Sequence, residues 1–414
     1  MIPKQIIYPI DYPKALLGSG SADAESAKFR AAIGGILGGD VGVIPLGRAR
    51  MGLHLLISLA VGGARRKVVF SPYTIPDVIN MAVLAGGEPV FVDHLPRSTN
   101  VDVAHLESLL HDDVACVVLT HYHVNQNDFA SIRALCESRG VRLFEDCAIS
   151  LSGTIAGRHV GTESDGAMLS LSGFKFLNYY WGGCVFSRHE SIVEALAQRT
   201  RRWHRLGRRD YAAQALKTMK YDVATRNPIF SWAVFPLIKR RQRGTGEAVN
   251  LSPPRLESVA IDRTLESLPS ASALAEWNSK IAKLAGYLEH RRRIAAIYDG
   301  LLGERMVASE SSREIRDGSA FINYPIHVGE GLRNTAYKKL IAAGYDVGAS
   351  LYPNCHEHER FRSAAGRSDN VRDLVRSVIT LPTHPGVSEK YARVLAEAVN
   401  EALNGRDPRP MREA

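Results

Sequence analysis

Between Lys67 and Asp93 the chain reads KVVFSPYTIPDVINMAVLAGGEPVFVD. Two short apolar runs, Lys67 to Phe70 and Glu88 to Val92, flank an amphipathic stretch from Asp77 to Leu84. Runs of that length suit strands buried on both faces, and the stretch between them has helical spacing. Strand, helix and strand in succession predict a right-handed crossover in a parallel sheet. The alternation continues outward. Ala115 to Leu119 and Val141 to Phe144 read as strands, and Val103 to Leu110 and Asp128 to Ser138 as helices. Asp128 stands where an N-cap would open the second of these. Val43 to Pro45 is strand-like ahead of a helical run from Met51 to Leu59, and Ala167 to Leu171 and Cys184 to Phe186 close the series. Ligands gather beyond the C-terminal ends of such strands, so the residues that follow them are the functional candidates.

At 414 residues the chain is long for one compact core. Its 45% hydrophobic and 23% charged residues are those of an ordinary globular protein. After Asn250 to Pro254 (NLSPP), a helical pattern runs from about Ser270 to Leu302. Strands follow at Ala320 to His327 and Val378 to Leu381, then a helix at Ser388 to Leu403. We expect a large domain over 1–250, with a basic helical insertion at about 199–245, and a smaller C-terminal α/β domain over 251–414. The Arg-Asp-Pro-Arg-Pro end is expected to fray.

No apolar run is long enough to span a bilayer, and Met1 to Ala15 lacks the pattern of a signal peptide. The five cysteines are scattered, with no C-x-x-C pair. That argues against a disulfide framework or a structural zinc and for the cytoplasm.

Net charge is +9, but thirteen Lys or Arg face only Asp210 and Asp222 between Arg199 and Arg243. Within this segment Pro228 to Ile238 is mostly apolar and runs into Lys239-Arg240-Arg241-Gln242-Arg243. Three readings stand: peripheral contact with a membrane, at its inner face, through 199–243; a basic rim for nucleotide diphosphates; or a helical subdomain packed on the body. Packing is preferred, because Trp232 and Phe235, three apart, are expected on one core-facing helical face. No nucleic-acid motif accompanies the charge.

Several residues after the strands carry possible chemistry. Gly47-Arg48-Ala49-Arg50 leads from a strand into a helix, where the Arg48 and Ala49 amides would meet an anion at the positive helix end; taken alone, the stretch is better read as a plain turn. Asp146 ends the run VRLFED, placed either to enter the crevice or to cap a helix. Lys175 lies between Phe174 and Phe176, a setting that favours a neutral, nucleophilic amine; a surface lysine is the plain alternative. Ser170 offers a hydroxyl five residues earlier. His121 and His123 are expected to face one side, as substrate contacts or packing rather than metal ligands.

Pro72-Tyr73-Thr74, Gly86 to Asp93, Thr120-His121, Glu145 to Ala148, Gly157 to Gly161, and Ser170 to Lys175 with Gly182-Gly183 follow one order. That ordered set resembles the DegT/DnrJ/StrS family, sugar aminotransferases of the fold-type I pyridoxal 5'-phosphate (PLP) enzymes. The resemblance runs from about Gly47 to Ser187 and resumes at Ala271 to Leu302, Tyr352 to His356 and Leu381 to Ser388. It implies PLP on Lys175 as a Schiff base, Asp146 on the pyridine nitrogen, and Ser170 with the Arg48 and Ala49 amides around the phosphate. It also implies a homodimer whose sites the neighbouring chain completes. The expected activity is amino transfer from an amino acid such as glutamate to a keto-sugar, nucleotide-linked, in polysaccharide or glycoconjugate biosynthesis.

The chain departs from the family pattern at Ile149 (usually Gln), Arg48 (often Thr), Val124 (Gly) and Ile75, where an aromatic often stacks on the ring. The Asn-Tyr-Arg-Met stretch is not recognisable near Leu268 to Ala273. Two alternatives remain open: a PLP-dependent sugar dehydratase or deoxygenase, in which the Schiff-base lysine is usually histidine, and a non-catalytic regulatory or scaffold protein on the same fold.

Overall fold

The computed structural model describes residues 20–126, 128–172, 175–177, 179–225, 228–243, 256, 260–308, 311–350 and 352–411. Its centre is an eight-stranded sheet. We label β1 Gly42–Leu46, β2 Lys67–Phe70, β3 Glu88–Phe91, β4 Val114–Thr120, β5 Arg142–Asp146, β6 Gly166–Ser170 and β7 Gly183–Ser187. Further along are β8 Asn323–His327, β9 Ala365–Gly366 and β10 Val378–Pro382. The order across the sheet is β1, β7, β6, β5, β4, β2, β3, β9. Only β7 runs against its neighbours. All seven residues of the central β4 are buried, as expected for a strand with both faces covered. From β2 the chain steps to β3, crosses back to β4, and moves on through β5 to β6. The direction therefore reverses between β2 and β4, and a crevice opens there beyond the strand ends.

Local capping signals set several helix starts. Asp102, Ser270 and Ser388 accept from His105 N (3.1 Å), Ala273 N (3.1 Å) and Tyr391 N (3.1 Å) at their N-caps. Asp128 holds the N-cap position of Phe129–Ser138, but its side chain makes no cap bond. The pattern expected from Ser270 to Leu302 divides into Ala271–Ile281 and Leu284–Leu302. The strand expected from Ala320 begins only at Asn323, because the buried Arg291 guanidinium takes the carbonyls of Phe321 (3.1 Å) and Ile322 (2.5 Å).

β8 and β10 pair antiparallel and share a core with Leu284–Leu302, Glu330–Ala343 and Glu389–Leu403. β9 leaves this part of the chain and pairs in parallel with β3 at the edge of the large sheet. Gly366 makes that possible: its φ is +105°, and a Cβ there would lie 1.9 Å from Phe91 O. The C-terminal stretch does not fray before 411. Pro408 is buried and Met411 N donates to Ala343 O (2.9 Å).

The basic segment forms helix Arg208–Thr225, a π-helical turn Phe230–Val234 and helix Phe235–Arg243. Phe230 and Phe235 are buried against the smaller core, whereas Trp232 is 72% exposed. This corrects the expectation that Trp232 and Phe235 share a buried face. The Phe235 amide donates to Phe230 O, a π-type step that places residues five apart on one side and turns Trp232 outward.

Candidate active site

The ends of β2, β4, β5 and β6 bring the candidates to one edge. Asp146 closes β5 in register with Thr120 of β4, and it is 3% exposed. Its Oδ1 accepts from Ala148 N (2.9 Å). Burial pushes its carboxyl up from the usual range, opposed by that amide and by the charge of Lys175. The adjacent Glu145 is occupied elsewhere: its Oε2 accepts from Gly161 N (2.9 Å) and from His121 Nε2 (2.6 Å). Because His121 Nδ1 accepts from Gln126 N (3.2 Å), the imidazole proton is assigned to Nε2. Cys147 lies near this pair in a metal-ligand-like group, but the histidine and the carboxylate already bond each other.

Lys175 is half-buried, on the turn after β6, and its N donates to Ser172 O (3.0 Å). Burial lowers its amine to about 8, against the opposing pull of Asp146. Of the two expected flanking rings, Phe176 is buried with the Arg291 guanidinium 5.2 Å from its centroid, and Phe174 lies outside the described residues. His123 is buried beside Lys175, and its pKa falls to about 3 through burial and then the Lys175 charge. His121 is thus bonded to Glu145, whereas His123 senses the Lys175 charge. Asn323 of β8 is buried against His123 and opposes the fall in its pKa, but among the described residues neither His123 ring nitrogen nor Asn323 Oδ1 makes a well-formed hydrogen bond. Such atoms are costly unless something polar meets them.

Ser170 ends β6, with its hydroxyl 3.1 Å from that of Ser172. It pairs with Gly183 of β7, and a Cβ on Gly183 would lie 2.5 Å from the Ala49 Cβ. The start of helix Arg50–Ala60 is thereby packed beside Ser170. Ala49 caps that helix without a side-chain bond, and its first turn has no acid, so the positive end stands ready for an anion. The Arg48 guanidinium lies 3.6 Å from the Trp181 ring centroid, which leaves its main chain at the turn. Ile75 precedes helix Pro76–Leu84, half-buried against the apolar core.

Sequence reasoning missed an aromatic wall. Tyr73, Tyr122, Tyr352 and His94 pack edge to face or tilted, with centroids 5.3 to 6.1 Å apart. Ser71 Oγ accepts from Tyr122 OH (2.9 Å) and Tyr73 N (3.1 Å), so it donates to His94 Nε2 (2.7 Å). Burial holds His94 down at about 4, the neutral form this bond needs. Burial also pushes the phenols of Tyr122 and Tyr352 up, and both sense the Asp146 charge. The available signal was position: Tyr122 follows β4 directly. A cavity of about 340 Å³ between helix Phe129–Ser138 and the 154–159 hairpin holds none of Lys175, Asp146 or Ser170.

The model of the DegT/DnrJ/EryC1/StrS aminotransferase family matches residues 21–226 and 268–400. The chain belongs to that family. A dTDP-4-dehydro-2,3,6-trideoxy-D-glucose 4-aminotransferase of Saccharopolyspora spinosa is 22% identical over 363 residues, covering 87% of this chain and 84% of that one. A dTDP-3-amino-3,4,6-trideoxy-alpha-D-glucose transaminase of Micromonospora megalomicea subsp. nigra is 25% identical over 357 residues, with 84% and 82% covered. In fold, the chain is similar to Helicobacter pylori PseC, an aminotransferase involved in the biosynthesis of pseudoaminic acid. The TM-score is 0.73 at 16% identity, over 97% of this chain and 98% of that one. The fold and the aminotransferase assignment follow. Among the described residues no helix is long and apolar enough to cross a membrane, and all five cysteines are free and buried.

Proposed function

We propose that the chain binds PLP at Lys175 and transfers an amino group from glutamate to a nucleotide-linked keto-sugar. The observation that carries this reading is the Lys175 amine, lowered to about 8 and electrostatically coupled to Asp146 at the strand ends. When bound, PLP supplies an electron sink for the bond broken at the substrate Cα. Asp146 would hold a proton on the pyridine nitrogen. The Ser170 hydroxyl and the Arg48 and Ala49 amides would bind the phosphate at the positive helix end. Ile75 would lie against one ring face as an aliphatic contact, and Tyr122 and Tyr352 would exclude water. Lys175, neutral in an appreciable fraction near pH 8, would hold the cofactor and then move the proton between Cα and C4'. His123 and Asn323, buried against each other, would offer polar contacts to what enters beside Lys175.

The Saccharopolyspora spinosa and Micromonospora megalomicea relatives are named for dTDP-linked sugars, which supports a sugar nucleotide as acceptor. The retained lysine with its lowered pKa favours transamination over the dehydratase and scaffold readings. The homodimer, and a role in polysaccharide or glycoconjugate assembly in the cytoplasm, belong to the same proposal. The test is to load purified protein with PLP, record its visible absorbance, and screen glutamate with sugar-nucleotide ketones for 2-oxoglutarate release. Wild type should be coloured and active, and Lys175→Ala should lose both properties. A colourless wild type that takes up no PLP overturns the proposal.

A further inference from the structure

The insertion leaves and rejoins the body at a two-residue parallel pair, His204–Arg205 with Ser267–Leu268. The family match stops at 226 and resumes at 268, so the π-helical turn and helix Phe235–Arg243 fall in the gap. One side of this unit is committed to the body. Phe230 and Phe235 are buried, Val234 and Ile238 pack on the same core, and Lys239 Nζ donates to Ala342 O (2.5 Å).

Exposed apolar side chains concentrate in the same segment. Among the described residues eight large hydrophobic side chains are exposed, and six of them lie here: Leu216, Met219, Val223, Ile229, Trp232 and Leu237. Leu216, Met219 and Val223 recur at three and four residues, one stripe of helix Arg208–Thr225. Trp232 is 72% and Leu237 66% exposed, apolar area of the kind that marks an interaction surface. Arg201, Arg202, Arg209, Lys220 and Arg240 are exposed in the same segment. Of the two acids in the segment, Asp210 is bonded to Gly207 N (2.7 Å).

We propose that this outer face docks on an anionic lipid surface, with Trp232 and Leu237 entering the headgroup–acyl boundary and the arginines and lysines meeting the headgroups. Exposed apolar side chains beside concentrated positive charge match such a surface in both respects. A second copy matches in only one, since a two-fold contact would set two segments of thirteen basic and two acidic residues against each other.

The test sediments the full chain with vesicles of equal parts phosphatidylglycerol and phosphatidylcholine, and with phosphatidylcholine alone. We expect binding to the anionic vesicles only, weakened by salt because charges are screened beyond about 8 Å at physiological ionic strength. The double variant Trp232→Ser, Leu237→Ser should lower partitioning about tenfold or more by removing the inserted side chains, with melting temperature and soluble-substrate activity retained. Iodide should quench Trp232 emission, taken as wild type minus Trp232→Phe, in free protein and not in the bound state. Three results would overturn the proposal. These are no anionic-vesicle binding, Trp232 shielded from iodide already in free protein, or a double variant whose mass falls to that of a monomer.

Discussion

Lys175 and Asp146 each resist their own charge through burial, and each relieves the other. Asp146→Asn should leave the protein folded but remove most of the half-reaction rate, since an amide cannot hold the pyridine proton. Losing a charge-assisted hydrogen bond costs about 1.5–3 kcal/mol, or roughly 10- to 150-fold in a single-turnover rate with glutamate. A rate near wild type would show that Asp146 does not meet the ring. Lys175 also carries a pH signature. Its ordinary pKa of 10.5 is about 8 in the fold, so between those values the unfolded chain binds the extra proton and stability rises with pH. In cofactor-free protein, the urea midpoint of wild type relative to Lys175→Met should therefore climb from about pH 8 toward 10.5. A flat difference would mean that the amine titrates normally.

At the scale of elements, the start of helix Arg50–Ala60 depends on a missing side chain. Gly183 brings β7 so close that a Cβ would meet Leu169 O at 2.3 Å and the Ala49 Cβ at 2.5 Å. Both neighbours belong to packed elements, and one is backbone, so Gly183→Val must push the helix start away from Ser170. Overpacking of this kind costs about 1–3 kcal/mol, and PLP affinity should fall with it in a spectroscopic titration. Ser170→Ala should weaken PLP binding while leaving the urea midpoint nearly unchanged. Equal midpoints and equal affinities for Gly183→Val and wild type would remove the helix start from the phosphate site. This packing explains why the stretch from Gly47 to Ala49 reads, in sequence, as an ordinary turn: what sets it beside Ser170 is a strand more than 130 residues later.

Across the whole molecule, Asp93 ties the sheet to the C-terminal part of the chain. Its Oδ1 accepts from His94 N (3.0 Å) and Val371 N (3.1 Å), and its Oδ2 from Asn370 N (3.1 Å). It thereby holds the start of helix Asp369–Ser377 from outside that helix. Asp93→Ala leaves these amides without their acceptor at about 1–3 kcal/mol for each that stays buried. Calorimetry should show a lower melting temperature and a broadened transition, as the two cores of the chain unfold with less coupling. An unchanged thermogram would mean that β9 and the Cys355 N to Pro72 O bond (2.7 Å) join the parts without Asp93.

The alternation of strands and helices from Gly42 to Ser187 was legible because it depends on near neighbours: apolar period, turn residues and caps. The lysine and the carboxylate stood out for the same reason, each just beyond a readable strand. Tertiary structure decided the rest. Tyr352 and Asn323 reach the cleft from segments whose local pattern carries no mark of it. β9 adds to the large sheet only because Gly366 can lie against Phe91 O, a contact between residues 275 apart in the chain. Trp232 faces outward because a π-helical turn breaks the period from which it was read. The lowered amine of Lys175 is likewise a property of the fold, since desolvation depends on atoms that folding gathers around it.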